Sequence, residues 1–251
     1  MSHVTKVTGI VVRTVNYGES NKVVTLFTEE LGKVAIMARG AKKPGSRFHA
    51  SSQPFVEGVY IFPSSRGLAQ LKSSDVMTSY PEIRKDVERM AYAMYWLELV
   101  DRSVEDRVQN RPLFRILQDA LQALNAGMDA DVITHYVELR ILHLLGVAPV
   151  LTGCVRCGDV TDPMYFSVAS GGFLCARHPE EGVILLSERL AKLLYLMSKH
   201  ELSEFRNVPL SDESRVLLRQ LFDAYMESYS GLRLKTKRVL DQMIRLHLNE
   251  D

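Results

Sequence analysis

The sequence predicts an α+β, multidomain protein: an N-terminal five-stranded β-barrel, then an α-helical domain with an inserted zinc-binding module. Three observations lead there. Short β-branched segments bounded by turn residues fill the first eighty positions. After Pro81 the apolar residues recur at the 3.6-residue period of helices. All three cysteines of the chain fall in one window, Cys154 to His178. The boundaries that follow are 1–80 for the barrel and 81–251 for the helical domain, interrupted at 150–182 by the metal module.

The first strand is Val4 to Val15, broken by Gly9, which in a strand marks a bulge or a close approach. Asn16-Tyr-Gly-Glu-Ser-Asn21 is a turn cluster, Lys22 to Thr28 the second strand, and Val34 to Ala38 the third. A polar loop bearing glycine and proline runs from Arg39 to Gln53. Pro54 to Phe62 and Leu68 to Val76 complete the five. Five short strands with uneven loops suit a small closed barrel of the OB type; an SH3-like barrel would give the same pattern.

A long helix is expected from Ile83 to Arg107, with Val87, Met90, Ala91, Met94, Tyr95, Leu97 and Leu99 as its apolar stripe. Pro112 opens the next, as proline can in a first turn, and that helix stops near Gly127. A third, from about Asp131 to Leu145, turns Ile133, Val137, Ile141, Leu144 and Leu145 inward and ends at Gly146 and Pro149. Met164 to Val168 and Gly172 to Leu174 are two short strands. Ser187 caps a helix over Leu190–Met197, and helices over 211–229 and 236–248 close the chain.

The cysteine window reads Cys154-Val-Arg-Cys157, seventeen residues, then Cys175-Ala-Arg-His178. Two ligand pairs, each separated by two residues, are what a tetrahedral Zn²⁺ site needs. Cys154, Cys157, Cys175 and His178 would fill all four positions and leave none for water, so the Zn²⁺ is structural. Arg156 and Arg177, inside the two knuckles, are placed to offset thiolate charge. An odd number of cysteines and an N-terminus without an apolar leader argue against disulfides.

Charge is unevenly spread. Met1 to Tyr80 carries ten basic and five acidic side chains, a net +5 in a chain of net +1. Lys33, Arg39, Lys42, Lys43 and Arg47 occur with no acid between Leu31 and Val56. Such a group can contact successive phosphates, and Phe48 or His49 beside it can stack on a base. The expected partner is nucleic acid, bound with little sequence preference.

Other chemistry is not in view. There is no GxxxxGK[ST], GxGxxG, HExxH or GxSxG pattern. His135 and His143 are too far apart on their helix to share a metal. Glu98, Asp101, Glu105 and Asp106 read as a solvated helix face, and Tyr92, Tyr95 and Trp96 as core. No apolar run reaches the roughly 20 residues needed to span a bilayer. The expected location is the cytoplasm.

The ordered series Gly9-Ile-Val-Val-Arg13, Tyr17-Gly-Glu19, Thr25 to Glu30, Gly32-Lys33, Ala38 to Lys43 and Pro54-Phe55 resembles the N-terminal domain of the RecO family of DNA recombination and repair proteins. The resemblance continues through Glu138-Leu139, Leu142 to Gly146, the Cys154 knuckle, Gly171 to Cys175 and Leu234 to Arg238. It implies an OB barrel, an α-helical domain with a zinc insert, and a non-enzymatic recombination mediator at the nucleoid. Such proteins bind single- and double-stranded DNA, anneal complementary strands, and with RecR help load RecA onto DNA coated by single-strand-binding protein (SSB). The resemblance also implies docking of the SSB C-terminal tail on the helical domain, for which His135, Tyr136 and Arg140 are rim candidates. His178 departs from the cysteine often found as fourth ligand. The competing reading is a zinc-stapled adaptor for proteins with incidental DNA contact; a nuclease built on the 98–106 carboxylates is a third.

Overall fold

The computed structural model describes residues 4–64, 67–160 and 165–247. Arg66, the Met164 start of one expected strand and the Leu248 end of the last helix lie outside them. The fold is α+β, a strand-rich N-terminal barrel followed by helices. The described residues form two compact units: 1–127 with 234–251, and 128–233. The change of secondary structure at residue 80 is therefore not the boundary of a compact body. The helices that follow the barrel, and the last helix of the chain, belong to the barrel's unit.

The barrel consists of β1 (Val4–Tyr17), β2 (Asn21–Thr28), β3 (Gly32–Ala38), β4 (Glu57–Pro63), β5 (Ala69–Gln70) and β6 (Ser73–Thr78), in the sheet order β5-β3-β2-β1-β4-β6. The fifth strand expected from the sequence is two. β5 pairs parallel with β3 and β6 pairs antiparallel with β4. Between them Leu71 donates its N–H to Met37 and Lys72 donates to Ile61. One segment thus closes both edges of the sheet, which removes the exposed ladder groups that an open edge would leave. The bulge in β1 falls between Val11 and Arg13 rather than at Gly9. There the N–H of Val11 and its carbonyl pair with Val56 and Phe55. Gly9 serves the close approach: a Cβ there would stand 3.1 Å from the Thr28 methyl.

Alternation of side chains gives the barrel two buried faces. Val7, Val11, Val24, Leu26, Val34, Ile36, Tyr60, Phe62 and Leu71 fill the interior. Ile10 and Phe27, of opposite parity, are also buried. Phe27 meets Phe114 of the following helices at a ring distance of 6.0 Å. Those helices are α1 (Pro81–Lys85), α2 (Val87–Ser103) and α3 (Arg111–Asn125). The expected long helix from Ile83 breaks at Asp86, whose extended backbone and side chain cap α2 by accepting from the N–H groups of Glu88 and Arg89. Asn110 caps α3 in the same way. Tyr92, Tyr95 and Trp96 are buried in this unit. The chain returns to it with α7 (Lys235–His247), which packs on α2.

In the second unit, α4 (Ala130–Leu144) is the axis. Asp131 through Leu139, Ile141 and Leu142 are all buried, so the helix is enclosed all round rather than along one stripe. Around it lie α5 (Glu188–Lys199, capped by Ser187), a 3-10 turn (Leu202–Phe205) and α6 (Asp212–Tyr229, capped by Ser211). The metal module adds the small sheet β8-β7-β9, from β7 (Tyr165–Ser167), β8 (Gly172–Leu174) and β9 (Ile184–Leu185). It rests on α6, where the Tyr229 hydroxyl donates to the Val168 carbonyl at 2.7 Å and Phe166 packs edge-on against Tyr225. A Cβ on Gly172 would strike the Val150 carbonyl, which fixes glycine where the two chains cross.

Candidate nucleic-acid interface and metal centre

The metal module is built from two tight turns. In the first, the Cys154 N–H donates to the Asp159 carbonyl and the Gly158 N–H to the Cys154 carbonyl, with Gly158 at φ +74°. In the second, β8 delivers Cys175 and the His178 N–H returns to the Cys175 carbonyl at 2.9 Å. The four ligand atoms of Cys154, Cys157, Cys175 and His178 all lie within 4.8 Å of one another. A tetrahedron with metal–sulfur bonds of about 2.3 Å has S···S edges of about 3.8 Å and S···N edges of about 3.6 Å. The structure has Cys157 Sγ to Cys175 Sγ at 3.8 Å. His178 Nδ1 stands 3.2 Å from Cys175 Sγ and 3.7 Å from Cys154 Sγ. The group can hold a metal ion, with Nδ1 as the imidazole donor. Burial opposes ionisation of Cys154, but backbone N–H groups of Cys175, Arg156 and Cys157 outweigh it and bring the thiol below its ordinary value. Arg177 contacts Cys157 Sγ at 3.8 Å, as expected, and also pairs with Asp159. Arg156 does not face a sulfur. It pairs with Glu180 at 2.7 Å, which Ser167 and Ser170 also hold.

The basic loop is stitched to the turn between β1 and β2. The Lys42 N–H donates to the Ser20 carbonyl at 3.0 Å, and the Gly40 N–H to Asn21 Oδ1 at 2.9 Å. Lys42 Nζ reaches the Gly18 carbonyl at 3.4 Å. Arg39, Lys42, Lys43 and Arg47 are exposed, and none is in an ion pair among the described residues. Lys22, a strand residue in the sequence pattern, joins them. Its pKa is lowered by partial burial and by the charge of Lys42 beside it. Only the β2–β3 register, which sets Lys22 opposite Ala38 at the root of the loop, brings it there.

Two residues of the expected interface are elsewhere. Lys33 is largely buried and donates to the Asp101 carbonyl at 2.7 Å, with the Asp101 and Asp106 carboxylates nearby. Phe48 is 5% exposed and belongs to the barrel interior, with the Arg47 guanidinium 4.6 Å above its ring. It cannot stack on a base. The 98–106 carboxylates are dispersed rather than clustered: Glu98 accepts from the N–H and hydroxyl of Thr236, and Asp101 is held by Arg13 and Lys33.

The rim candidates on α4 are corrected likewise. His135 is 1% exposed, stacked on Phe222 at 4.5 Å and bonded to Glu138 at 3.0 Å. Tyr136 is 1% exposed and packs against Phe205. Neither can line a groove, because the enclosed helix has no outer face at those positions. Arg140 alone is partly exposed, lying over Tyr136 and donating to the His200 carbonyl at 2.6 Å.

Residues 1–80 match the family profile described as Recombination protein O N terminal, and residues 84–238 match Recombination protein O C terminal. The chain belongs to the RecO family. It is 54% identical over 243 residues to the DNA repair protein RecO of Exiguobacterium sibiricum, covering 96% of this chain and 98% of that one. The DNA repair protein RecO of Bacillus subtilis is 45% identical over 241 residues, covering 95% and 94%, and that of Halalkalibacterium halodurans 40% over 240 residues, covering 95% and 94%. Membership places the chain in DNA recombination and repair. No described helix is long and apolar enough to cross a membrane.

Proposed function

We propose that this RecO chain is a DNA-binding mediator that anneals complementary strands and, with RecR, helps load RecA onto SSB-coated single-stranded DNA at the nucleoid. The observation that carries the reading is the loop Arg39–Arg47: four exposed cations, free of acidic partners among the described residues, held at the mouth of an OB-type barrel by bonds to the β1–β2 turn. Cations so placed neutralise phosphates and let two strands approach against their mutual repulsion. Annealing forms no covalent bond, so it needs no nucleophile or general base. Arg39, Lys42, Lys43 and Arg47 are the proposed phosphate contacts for single and double strands.

The Cys₃His group is a structural Zn²⁺ site. Its donor set and edge lengths suit Zn²⁺, and four protein ligands leave no coordination position for a substrate. The ion's part is to staple the module, which has a small apolar cluster around Cys154, Leu174 and Cys175 as its own core. Docking of the SSB tail is proposed for the 128–233 unit, with the partly exposed Arg140 as a rim residue. The test is annealing of complementary strands on SSB-coated DNA, with and without RecR. Annealing by wild type that is lost when Lys42, Lys43 and Arg47 become alanine supports the proposal. No annealing in either condition, with an SSB tail peptide still captured, supports the adaptor reading instead.

A further inference from the structure

Resting on the proposed DNA-binding reading, we infer that Tyr17, at the turn to which Lys42 is bonded, is a stacking platform for an unpaired nucleobase and makes this face prefer single strands. The barrel sequence up to Tyr80 has seven phenylalanine and tyrosine residues. Phe27, Phe48, Phe55, Tyr60, Phe62 and Tyr80 are all at most 5% exposed. Tyr17 is 58% exposed. It ends β1 opposite Asn21, where the β1–β2 turn begins.

That turn is the one to which the basic loop is tied. The carbonyl of Gly18, next to Tyr17, accepts from Lys42 Nζ, and the Ser20 carbonyl accepts from the Lys42 N–H. The Asn21 side chain, cross-strand from Tyr17, holds the Gly40 N–H. The aromatic ring and the cations therefore sit on one small rigid frame instead of on separate mobile loops. Lys22 and Lys42 are close enough for the charge of one to disfavour the charge of the other. Glu19, the acid of the turn, is exposed and forms no ion pair among the described residues. The Lys42 ammonium, held at the Gly18 carbonyl beside Tyr17, is placed to meet a phosphate one nucleotide from a stacked base.

Burying an aromatic saves apolar surface, and six of the seven do that. An exposed tyrosine at a strand end gains nothing by exposure in the free protein. Beside cations it has the composition of a single-strand site, where bases stack on aromatic faces while the backbone follows positive charge. The ring discriminates because bases inside a duplex are already stacked on one another and present no free face. The cations do not discriminate, since both forms carry phosphates.

The experiment compares wild type, Tyr17→Ala and Tyr17→Phe with a short oligo-dT strand and with a duplex of equal length, at several salt concentrations. Tyr17→Ala should weaken single-strand binding by about ten-fold or more, with duplex affinity and the salt slope unchanged. Tyr17→Phe should retain wild-type single-strand affinity. Thermal unfolding of Tyr17→Ala at the wild-type temperature shows that the fold is kept. The inference is overturned if Tyr17→Ala binds the single strand as wild type does, or loses both forms equally. If wild type binds neither form, the DNA-binding reading itself falls. If wild type binds both forms and Tyr17→Ala binds them equally well, the DNA-binding reading stands and the platform falls.

Discussion

The Lys33 ammonium donates to the Asp101 carbonyl at 2.7 Å and lies 3.6 Å from the Asp101 carboxylate, whose other oxygen receives Arg13 at 2.9 Å. This pair ties β3 to the end of α2. Lys33 is thereby a structural cation, unlike the loop residues that follow it. Lys33→Ala should lower stability by about 1–3 kcal/mol, since it removes the donor to the Asp101 carbonyl and a counter-charge from a largely buried carboxylate. It should leave DNA affinity unchanged, whereas Arg39→Ala should weaken it. Thermal melting and fluorescence anisotropy on the same two variants separate the roles; a Lys33 variant that melts normally and binds DNA poorly would reverse them.

Replacing Lys42, Lys43 and Arg47 together with alanine removes three proposed phosphate contacts. Each neutralised single-strand phosphate contributes roughly 0.7 to the slope of log affinity against log salt. The slope should therefore flatten by roughly two, and melting should be unaffected because all three side chains are exposed. An unchanged slope sinks the loop assignment.

Purified protein should carry one Zn²⁺ per chain, and Cys157→Ser should carry almost none. Metal analysis by mass spectrometry reads this directly. Loss of metal should make the 150–182 segment sensitive to protease while the barrel stays resistant. One metal per chain retained in Cys157→Ser would refute the ligand set. Because His178 and the thiols must be deprotonated to bind, metal should also be released as pH falls.

Asp131 is buried on α4 and held by Arg219 and Arg215 of α6, at 2.7 and 2.9 Å. Burial opposes its charge, but the arginine bonds prevail and hold its pKa below the usual 3.8. A carboxylate with a lowered folded pKa contributes stability above its unfolded value, and that contribution is lost as pH falls through the folded value. Asp131→Asn should cost about 3 kcal/mol at neutral pH, as breaking a buried pair does. The gap in melting temperature between the variant and wild type should narrow below about pH 3.8. A gap that stays constant down to pH 3 would show that the arginines do not act through the charge.

Glu98 caps a helix from outside it: one carboxylate oxygen accepts from the Thr236 N–H at 2.8 Å and its hydroxyl at 2.6 Å. Glu98→Ala should cost about 1 kcal/mol, the usual worth of an N-terminal cap. Amide exchange should report it as faster opening of α7, with the barrel unchanged.

Local patterns in the chain carried much of this outcome. Ser187 and Ser211 mark helix starts by bonds to adjacent backbone N–H groups, Pro112 by its fixed φ and Gly146 by its positive φ, and none of these needs a distant partner. The knuckle ligands are legible for the same reason: each pair is two residues apart, and the metal geometry demands that spacing. Asp86 splits the expected long helix by capping α2, a break that the apolar stripe running past it does not mark. On α4, His135, Glu138 and Asp131 are polar in sequence, yet each is buried beside a partner from α4 or α6 that the local pattern does not name.

By itself, the sequence determined the succession of strands before helices, the spacing of the Cys₃His group, the basic loop and the family. All of these rest on contacts between near neighbours or on residue types in a fixed order. Tertiary structure alone decided which cations are free and which are bound, because a lysine's partner can lie tens of residues away. It withdrew Lys33 into Asp101, put Phe48 in the barrel interior, brought Lys22 to Lys42, and left Tyr17 as the exposed tyrosine of the barrel. It also joined α1 to α3 and α7 to the barrel, since burial of an apolar face follows spatial contact and not chain order.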